Sequence, residues 1–239
     1  MSAVFEIHNL AKFNWEAEAK GESRYLFSRI SAEISKPERV ALIGASGQGK
    51  STLLRILALL DIPDQGDLLL NGASFKNSNP REWRMAVAYV AQQAVMLPGS
   101  IEDNLRTVSR LHGQPYDAAL GAQLMEQLGL DHLDLAKKAE DCSGGEKQRI
   151  SLIRTLLLRP SILLLDEATA SLDIDSTRKV EALLLNRHKE EGITLIWVTH
   201  DPEQAHRISN RTWAMDKGGM REYSTASYFE QSLKGAVHP

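Results

Sequence analysis

One stretch of eight residues constrains the fold more than any other part of the chain. The sequence at 44–51, Gly-Ala-Ser-Gly-Gln-Gly-Lys-Ser, matches the pattern G-x-x-x-x-G-K-[ST] at every fixed position. A short apolar run, Arg39–Ile43, precedes it, and an apolar helical pattern from Lys50 to about Leu60 follows it. This strand–loop–helix setting disfavours a chance glycine-rich turn and predicts a nucleotide phosphate site in a parallel α/β fold.

The residue types of this loop suit a bound phosphate chain. Glycines let backbone N–H groups turn inward, and the positive end of the following helix faces the same anion. We expect Lys50 to contact the β- and γ-phosphates and Ser51 to offer its hydroxyl to Mg²⁺. The expected nucleotide contacts in this loop are Gly44, Ser46, Gly47, Gln48, Gly49, Lys50, Ser51 and Thr52.

A pair of carboxylates follows another apolar run. Ile162–Leu165 is a predicted buried strand, and Asp166 and Glu167 come directly after it. A parallel strand delivers its last residues to the sheet edge where ligands bind. We expect Asp166 to hold the Mg²⁺ shell and Glu167 to polarise the attacking water as a general base. Acidic residues that only end a core strand are the alternative, which the upstream phosphate loop disfavours.

A third stretch, Cys142–Arg149, joins a helix start to a glycine pair. Ser143 and Glu146 form the S-x-x-E pattern of a capping box. Gly144 and Gly145 then lie just inside the helix, where glycine costs stability. A helix cap alone does not require them, whereas a phosphate that approaches this backbone closely does.

These three motifs, in this order, resemble the ATPase domains of ABC transporters, over nearly the whole chain. The resemblance implies an α/β P-loop NTPase fold of the ABC ATPase type. Its core is a mostly parallel sheet, with an N-terminal antiparallel β-subdomain and an inserted α-helical subdomain. We expect a single domain over 1–239, with the ATP-binding core at 1–96 and 160–239 and the helical subdomain at 97–159.

Further site residues follow from the resemblance. Gln92 matches a glutamine that touches Mg²⁺ and faces the membrane subunit. Asp173, in Ser-Leu-Asp, matches the loop that crosses between two ATP sites, and His200 matches a histidine that contacts the γ-phosphate. The expected catalytic residues are therefore Glu167, His200 and Gln92, and the expected Mg²⁺ ligands are Ser51, Gln92 and Asp166.

The resemblance also implies an assembly of two copies packed head to tail. Each ATP then lies between the phosphate loop of one copy and Ser143, Gly144 and Gly145 of the other, so that ATP favours the dimer. The sequence departs from the usual family pattern at Cys142, where leucine is usual, and at Glu146, where glutamine is usual. We expect activity to survive, because Glu146 keeps the capping box.

An aromatic ring before the phosphate loop is expected to stack on adenine. Phe13 and Trp15 are the favoured residues for this role, and Tyr25 is the alternative nearer the loop. The guanine-reading pattern N-K-x-D does not occur in the sequence, so ATP is expected rather than GTP.

Composition excludes several other classes of protein. The net charge is -3, with 28 Lys and Arg against 31 Asp and Glu, and this balance does not favour nucleic-acid binding. The single cysteine rules out an intrachain disulfide and fits a reducing compartment. The N-terminus has no signal-peptide pattern, and no apolar run is long enough to span a membrane. We therefore expect a cytoplasmic protein, held on the inner face of the cell membrane by a permease subunit.

The resemblance implies a subunit whose ATP hydrolysis energises that separate permease. Residues 100–105 resemble exporter-type ATPase domains. The stretch from Ser143 to Arg154, with Trp197–Asp201, looks most like the ATPase subunit of a bacterial iron exporter of the FetA type. The alternative is an ABC ATPase that works without a permease, for example in iron–sulfur cluster assembly.

Overall fold

The phosphate loop lies at one end of the central strand of a mostly parallel sheet. The computed structural model describes residues 5–15, 24–216 and 218–233. In these residues the larger sheet has the order β10-β9-β3-β8-β7-β6, and only the β10–β9 pair is antiparallel. Its strands are β3 (Arg39–Ile43), β6 (Val87–Val90), β7 (Ile162–Asp166), β8 (Thr194–Val198), β9 (Arg211–Asp216) and β10 (Gly219–Ser224).

A smaller antiparallel sheet is built mainly from the N-terminal part of the chain. Its order is β2-β1-β4-β5, with β1 at Phe5–Phe13, β2 at Tyr25–Ile34, β4 at Gln65–Leu70 and β5 at Ala73–Ser74. Asn71 and Gly72 join β4 to β5 with φ angles of 52° and 78°. Two successive residues in the left-handed region form the tight turn that the Asn-Gly pair predicts.

Helices flank the strands and form an insertion between β6 and β7. The inserted helices α3, α4 and α5 pack on one another, with α3 and α4 both contacting α5. The helices are α1 (Lys50–Leu57), α2 (Pro80–Ala86), α3 (Ile101–His112), α4 (Ala118–Gln127), α5 (Gly144–Leu156), α6 (Ile174–Glu191), α7 (Pro202–Ile208) and α8 (Thr225–Leu233).

The core lies on both faces of the parallel sheet. In β7, Ile162 and Leu164 belong to a cluster shared with α1 and the small sheet, whereas Leu163 and Leu165 belong to a cluster shared with the inserted helices. All four side chains are fully buried. A continuous apolar strand is what a parallel sheet covered on both faces requires.

This architecture confirms the predicted fold class. Two local expectations differ from the structure. The helix after the phosphate loop ends at Leu57 rather than near Leu60, because Leu59 has a φ of 52°, which no helix continues through. The strand β10 has no counterpart among the predicted elements, and it closes the larger sheet as its antiparallel edge strand. The subdomain limits at 96/97 and 159/160 stay a prediction.

Candidate ATP-binding and hydrolysis site

The phosphate loop is shaped by glycines that no other residue could replace without strain. Gly44 and Gly49 have φ angles of 150° and 89°. A Cβ on Gly44 would lie 2.6 Å from the carbonyl oxygen of Met215, and one on Gly49 would lie 2.9 Å from Leu26. Gly49 is the N-cap of α1 and supplies no side-chain hydrogen bond. The first N–H groups of α1 are therefore available to an anion.

Lys50 lies inside this loop. Its side chain is buried, and its ammonium group donates hydrogen bonds to the carbonyl oxygens of Gly44 at 2.7 Å and Ala45 at 2.9 Å. Burial lowers the pKa of Lys50, and the carboxylates of Glu167 and Asp166 oppose that decrease. The cation is thus held at the loop where a phosphate chain would bind.

Asp166 and Ser51 bring hard oxygen atoms together beside the loop. One carboxylate oxygen of Asp166 accepts a hydrogen bond from the Ser51 hydroxyl at 3.0 Å. The other accepts one from the Tyr89 hydroxyl at 2.8 Å. Burial raises the pKa of Tyr89, and the hydrogen bond to Asp166 raises it further. A carboxylate and a hydroxyl next to a phosphate loop are the donor set that Mg²⁺ prefers, so these residues fit the ion.

Glu167 contacts both of the other expected catalytic residues, Gln92 and His200. One of its carboxylate oxygens lies 2.7 Å from Nε2 of His200, and the other accepts a hydrogen bond from the Gln92 amide at 2.9 Å. The backbone of Glu167 has a φ of 47°, a left-handed conformation that costs a non-glycine residue about 1–2 kcal/mol. Such strain is typical of functional positions.

Asp173 lies apart from this cluster and caps α6. Its carboxylate accepts hydrogen bonds from the N–H of Ser176 at 2.8 Å and from the Ser176 hydroxyl at 2.7 Å. These hydrogen bonds hold the pKa of Asp173 below its usual value. Arg149 of α5 also donates to the Ser176 hydroxyl. The structure thus ties the loop of Asp173 to the helix that begins with the glycine pair.

Ser143, Gly144 and Gly145 form the start of α5, with the first two exposed and Gly145 half-buried. The N–H of Ser143 donates to Glu146 at 2.7 Å, and the N–H of Glu146 donates to the Ser143 hydroxyl at 3.2 Å, so the predicted capping box is confirmed. Gly144 and Gly145 are the first two helical residues, whose N–H groups have no acceptor within the helix. Among the described residues, no hydrogen bond or ion pair joins this helix start to the phosphate loop of its own chain.

Glu146 is turned back toward its own helix rather than outward. The hydrogen bond from the Ser143 backbone lowers the pKa of Glu146, and Lys137 contributes in the same direction from 3.8 Å. His132 lies 4.0 Å from the same carboxylate. The departure from the usual glutamine is therefore compensated within the chain, and no hydrogen bond among the described residues occupies the N–H groups of the two glycines.

Removal of the Glu146 carboxylate is expected to weaken the cap. We expect Glu146→Ala to lower the free energy of unfolding by about 1 kcal/mol, and Glu146→Gln by less than half as much, because an amide oxygen still accepts from Ser143. Urea unfolding near pH 7 measures both. The pKa of Glu146 is lowered from 4.5 in the folded state, so its contribution is present above pH 4.5 and is lost as the pH falls through the folded pKa. An equal loss in both variants would contradict the capping role.

The expected adenine-stacking residues lie in one aromatic cluster. Phe13 pairs with Tyr25 across β1 and β2, with ring centroids 5.1 Å apart, and the Trp15 ring lies 5.0 Å from that of Phe13. Leu26, the neighbour of Tyr25, packs against Gly49 of the phosphate loop. Trp15 is 60% exposed. The three rings thus form one cluster next to a residue that contacts the phosphate loop, and the assignment of adenine stacking to Phe13 or Trp15 stays a prediction.

A glycine loop at the end of a parallel strand, with a hydroxyl–carboxylate pair beside it, defines a P-loop nucleoside triphosphatase. Residues 27–170 match the ABC transporter family over more than half of the chain. The chain belongs to this family, and it is an ATP-binding subunit with ATPase activity that energises transport.

Relatives within the family act in both directions of transport by name. YjkB of Bacillus subtilis (strain 168), named an ABC transporter ATP-binding protein, is 39% identical over 87% of this chain and 83% of its own length. FetA of Escherichia coli (strain K12), a probable iron export ATP-binding protein, is 36% identical over 77% of this chain and 81% of its own. The methionine import ATP-binding protein MetN of Mesorhizobium japonicum is 34% identical over 88% of this chain and 61% of its own.

A solved structure shows a related protein in an assembled state. It is the dimeric, post-hydrolysis form of an ATP-binding cassette bound to ADP and phosphate, with a TM-score of 0.79 and 26% identity over 92% of this chain and 98% of that chain. Within residues 5–15, 24–216 and 218–233, the present structure has no helix that is long and apolar enough to cross a membrane.

Proposed function

We propose that two copies of this chain enclose two ATP molecules head to tail and drive export through a separate permease. One observation carries the proposal. Lys50, Ser51, Asp166 and Glu167 gather around the phosphate loop, whereas Gly144 and Gly145 carry unpaired N–H groups that no hydrogen bond among the described residues joins to that loop. Two copies related by a twofold axis bring each set against the other, which completes two equivalent sites.

The residues of one copy then divide the work of hydrolysis. Lys50 and the loop N–H groups hold the β- and γ-phosphates. Glu167 accepts a proton from the attacking water, whose oxygen bonds to the γ-phosphorus as the bond to the bridging oxygen breaks and ADP leaves. His200 contacts the γ-phosphate and, through the contact of its Nε2 with Glu167, orients the base. Ser51 and Asp166, joined by Gln92, would hold Mg²⁺, which neutralises charge on the phosphate oxygens.

The segment after Gln92 connects this site to a surface suited to a permease. Val95 and Leu97 are 69% and 41% exposed although both are apolar. A groove of about 250 Å³ between the core and the inserted helices is lined by Leu60, Tyr89, Val108 and Leu158 together with Arg84 and Arg154, and Arg154 also donates to the carbonyl oxygen of Val95. Exposed apolar side chains close to a partly apolar groove are typical of a protein interaction site. We propose that a short cytoplasmic helix of the permease docks there.

The segment that carries Val95 and Leu97, here called the docking segment, is held against the inserted helices by buried polar groups. Asn104, fully buried, donates to the carbonyl oxygen of Leu97 at 2.9 Å and accepts from the Leu97 N–H at 2.8 Å. Arg154 donates to the carbonyl oxygen of Val95 at 2.9 Å and to Asn104 at 3.1 Å. Gln92 at the other end contacts Glu167. A movement of the permease is thereby transmitted to the proposed general base.

A charged side chain at position 95 is expected to prevent docking. Val95→Asp should lower retention of the chain on membranes of its source cells about tenfold, because a carboxylate is desolvated on binding, whereas the matched control Val95→Ile should be retained like the wild type. Sedimentation with mass spectrometry of the captured membrane protein measures this. Equal retention of both variants would contradict the docking surface. Capture of iron–sulfur scaffold proteins in place of a multi-span protein would favour the alternative role in cluster assembly.

The narrower proposal is that the transported solute is iron and that it leaves the cell. It is supported by the relationship to FetA and by the exporter-like residues 100–105. Cells that lack this chain are expected to retain about twofold more iron under iron load, because one route of export is missing. Each transport cycle depends on ATP hydrolysis at Glu167, so the catalytic residue is needed as well as the chain. Plasmid-borne wild type should restore the lower level and Glu167→Gln should not. Unchanged cellular iron would contradict iron export while leaving the ATPase assignment intact.

A further inference from the structure

A buried network of polar side chains links the loop that follows Glu167 to the helix that follows His200. The side-chain amide of Gln204 on α7 donates to the Thr169 hydroxyl at 3.0 Å and to a carboxylate oxygen of Glu181 at 2.9 Å. Thr169, Glu181 and Gln204 are 6%, 4% and 5% exposed. Buried polar groups are kept only where their partners are fixed, so this contact is a defined feature of the fold.

Glu181 on α6 makes the largest number of hydrogen bonds in this buried polar network. Its carboxylate accepts hydrogen bonds from Arg207 at 3.1 Å and from Arg178 at 3.3 Å, in addition to the one from Gln204. The hydrogen bond to Glu181 raises the pKa of Arg207. A buried carboxylate without such partners would be strongly destabilising. With two guanidinium groups and one amide it is fully paired and holds Gln204 in place.

The chemistry of position 204 is restricted by these neighbours. Glu181 is an acceptor only, so the amide nitrogen of Gln204 must face it, and the second N–H reaches the hydroxyl of Thr169. A carboxylate at position 204 would be repelled by Glu181. A neutral amide is the side chain that donates to a carboxylate and to a hydroxyl at once.

The two linked elements also carry the proposed catalytic pair. Thr169 lies two residues after Glu167, and Gln204 lies four residues after His200. Nε2 of His200 is 2.7 Å from the Glu167 carboxylate at the exposed edge of the site. The two segments therefore touch at two places, once through the catalytic pair and once through the buried contact between Thr169 and Gln204.

We propose that Gln204, anchored by Glu181 and bonded to Thr169, is a positioning residue that keeps His200 in contact with Glu167. The inference rests on the proposed roles of Glu167 and His200. The buried contact fixes the spacing of the two segments, and this spacing sets whether the imidazole reaches the carboxylate. Loss of the contact should slow the chemical step without weakening ATP binding, because Lys50 and the phosphate loop belong to other elements.

Thr169→Val tests the contact at nearly constant volume, since it replaces the hydroxyl with a methyl group. We expect kcat for ATP to fall about tenfold, with KM and the nucleotide Kd within about twofold of the wild type. Thr169→Ser keeps the hydroxyl and should hydrolyse ATP within about twofold of the wild-type rate. Gln204→Met removes the amide from the other side of the contact, and it should reproduce the effect of Thr169→Val on kcat.

The decisive measurement combines Thr169→Val with His200→Ala. If Thr169 acts through His200, the substitution should cause no further loss of kcat in that background. An equal fold-loss in both backgrounds, an unchanged kcat in Thr169→Val and Gln204→Met, or a Thr169→Ser variant as slow as Thr169→Val would overturn the proposal. Wild-type rates in His200→Ala or Glu167→Gln would overturn it together with the site assignment, so the single variants distinguish the two failures.

Discussion

Glu167→Gln is expected to lower the rate of ATP hydrolysis by about a hundredfold or more while ATP still binds. Glutamine has the size and shape of glutamate, so its contacts with Gln92 and His200 need little rearrangement. An amide, however, cannot accept the proton of the attacking water. Because the phosphate loop and Lys50 are unchanged, the Kd for ATP should stay within about twofold.

Phosphate release and nucleotide binding, measured on the same preparation, check this expectation. Glu190→Gln is a suitable control, since it removes a carboxylate that is exposed on α6 and contacts only Lys189 among the described residues. It should hydrolyse ATP at the wild-type rate. Unchanged phosphate release by Glu167→Gln would show that Glu167 is not the general base. ATP would then serve only to hold two copies of the chain together.

Gly144→Glu is the second substitution with a large expected effect. The Cβ of a residue at position 144 would meet no atom within 4 Å, so the isolated chain should fold as before. If the N–H groups at the start of α5 bind the nucleotide of a second copy, the new carboxylate faces that phosphate. Like charges in a closed interface cost several kcal/mol, so the rate of ATP hydrolysis should fall at least about a hundredfold.

Two control measurements separate this effect from misfolding. The urea midpoint of Gly144→Glu should match that of the wild type, and the single chain should bind ATP with unchanged affinity, because its own phosphate loop is intact. Wild-type hydrolysis by Gly144→Glu would mean that Gly144 and its neighbours are only the cap of α5. If the free energy of unfolding instead falls by several kcal/mol, the substitution damages the start of α5 itself, and the lower rate is then explained by the role of Gly144 in the helix start.

The parts of the site that the sequence predicts are those that a single local segment builds. Gly44–Ser51 carries its own strand, loop and helix start, and Ser143 and Glu146 are three residues apart on one helix. The fold class follows from the alternation of strands and helices in the same way. Asp166 and Glu167 are predictable because a strand that ends at a ligand site places its last residues there.

Contacts between distant segments could not be predicted from the sequence in this way. Tyr89 reaches Asp166 because β6 pairs with β7, and strand order is not written in the local pattern. The contact of Gln204 with Glu181 and Thr169 joins residues 23 and 35 positions apart. The left-handed backbone of Glu167 has no sequence signal. By contrast, α2 had an available signal, since Asn79 caps it and Pro80 is its first residue.

The central claim is that each ATP site is made by two chains, and a mixing measurement tests it most directly. Glu167→Gln and Gly144→Glu are each expected to be nearly inactive alone. In a mixed pair, the phosphate loop and Glu167 of the Gly144→Glu chain meet the intact helix start of the Glu167→Gln chain. The two variants are mixed in equal amounts before ATP is added, so half of the pairs that then form are mixed. Each mixed pair has one intact site of two, so about a quarter of the wild-type ATPase rate should return. A mixture that shows only the sum of the two residual rates would contradict the shared site.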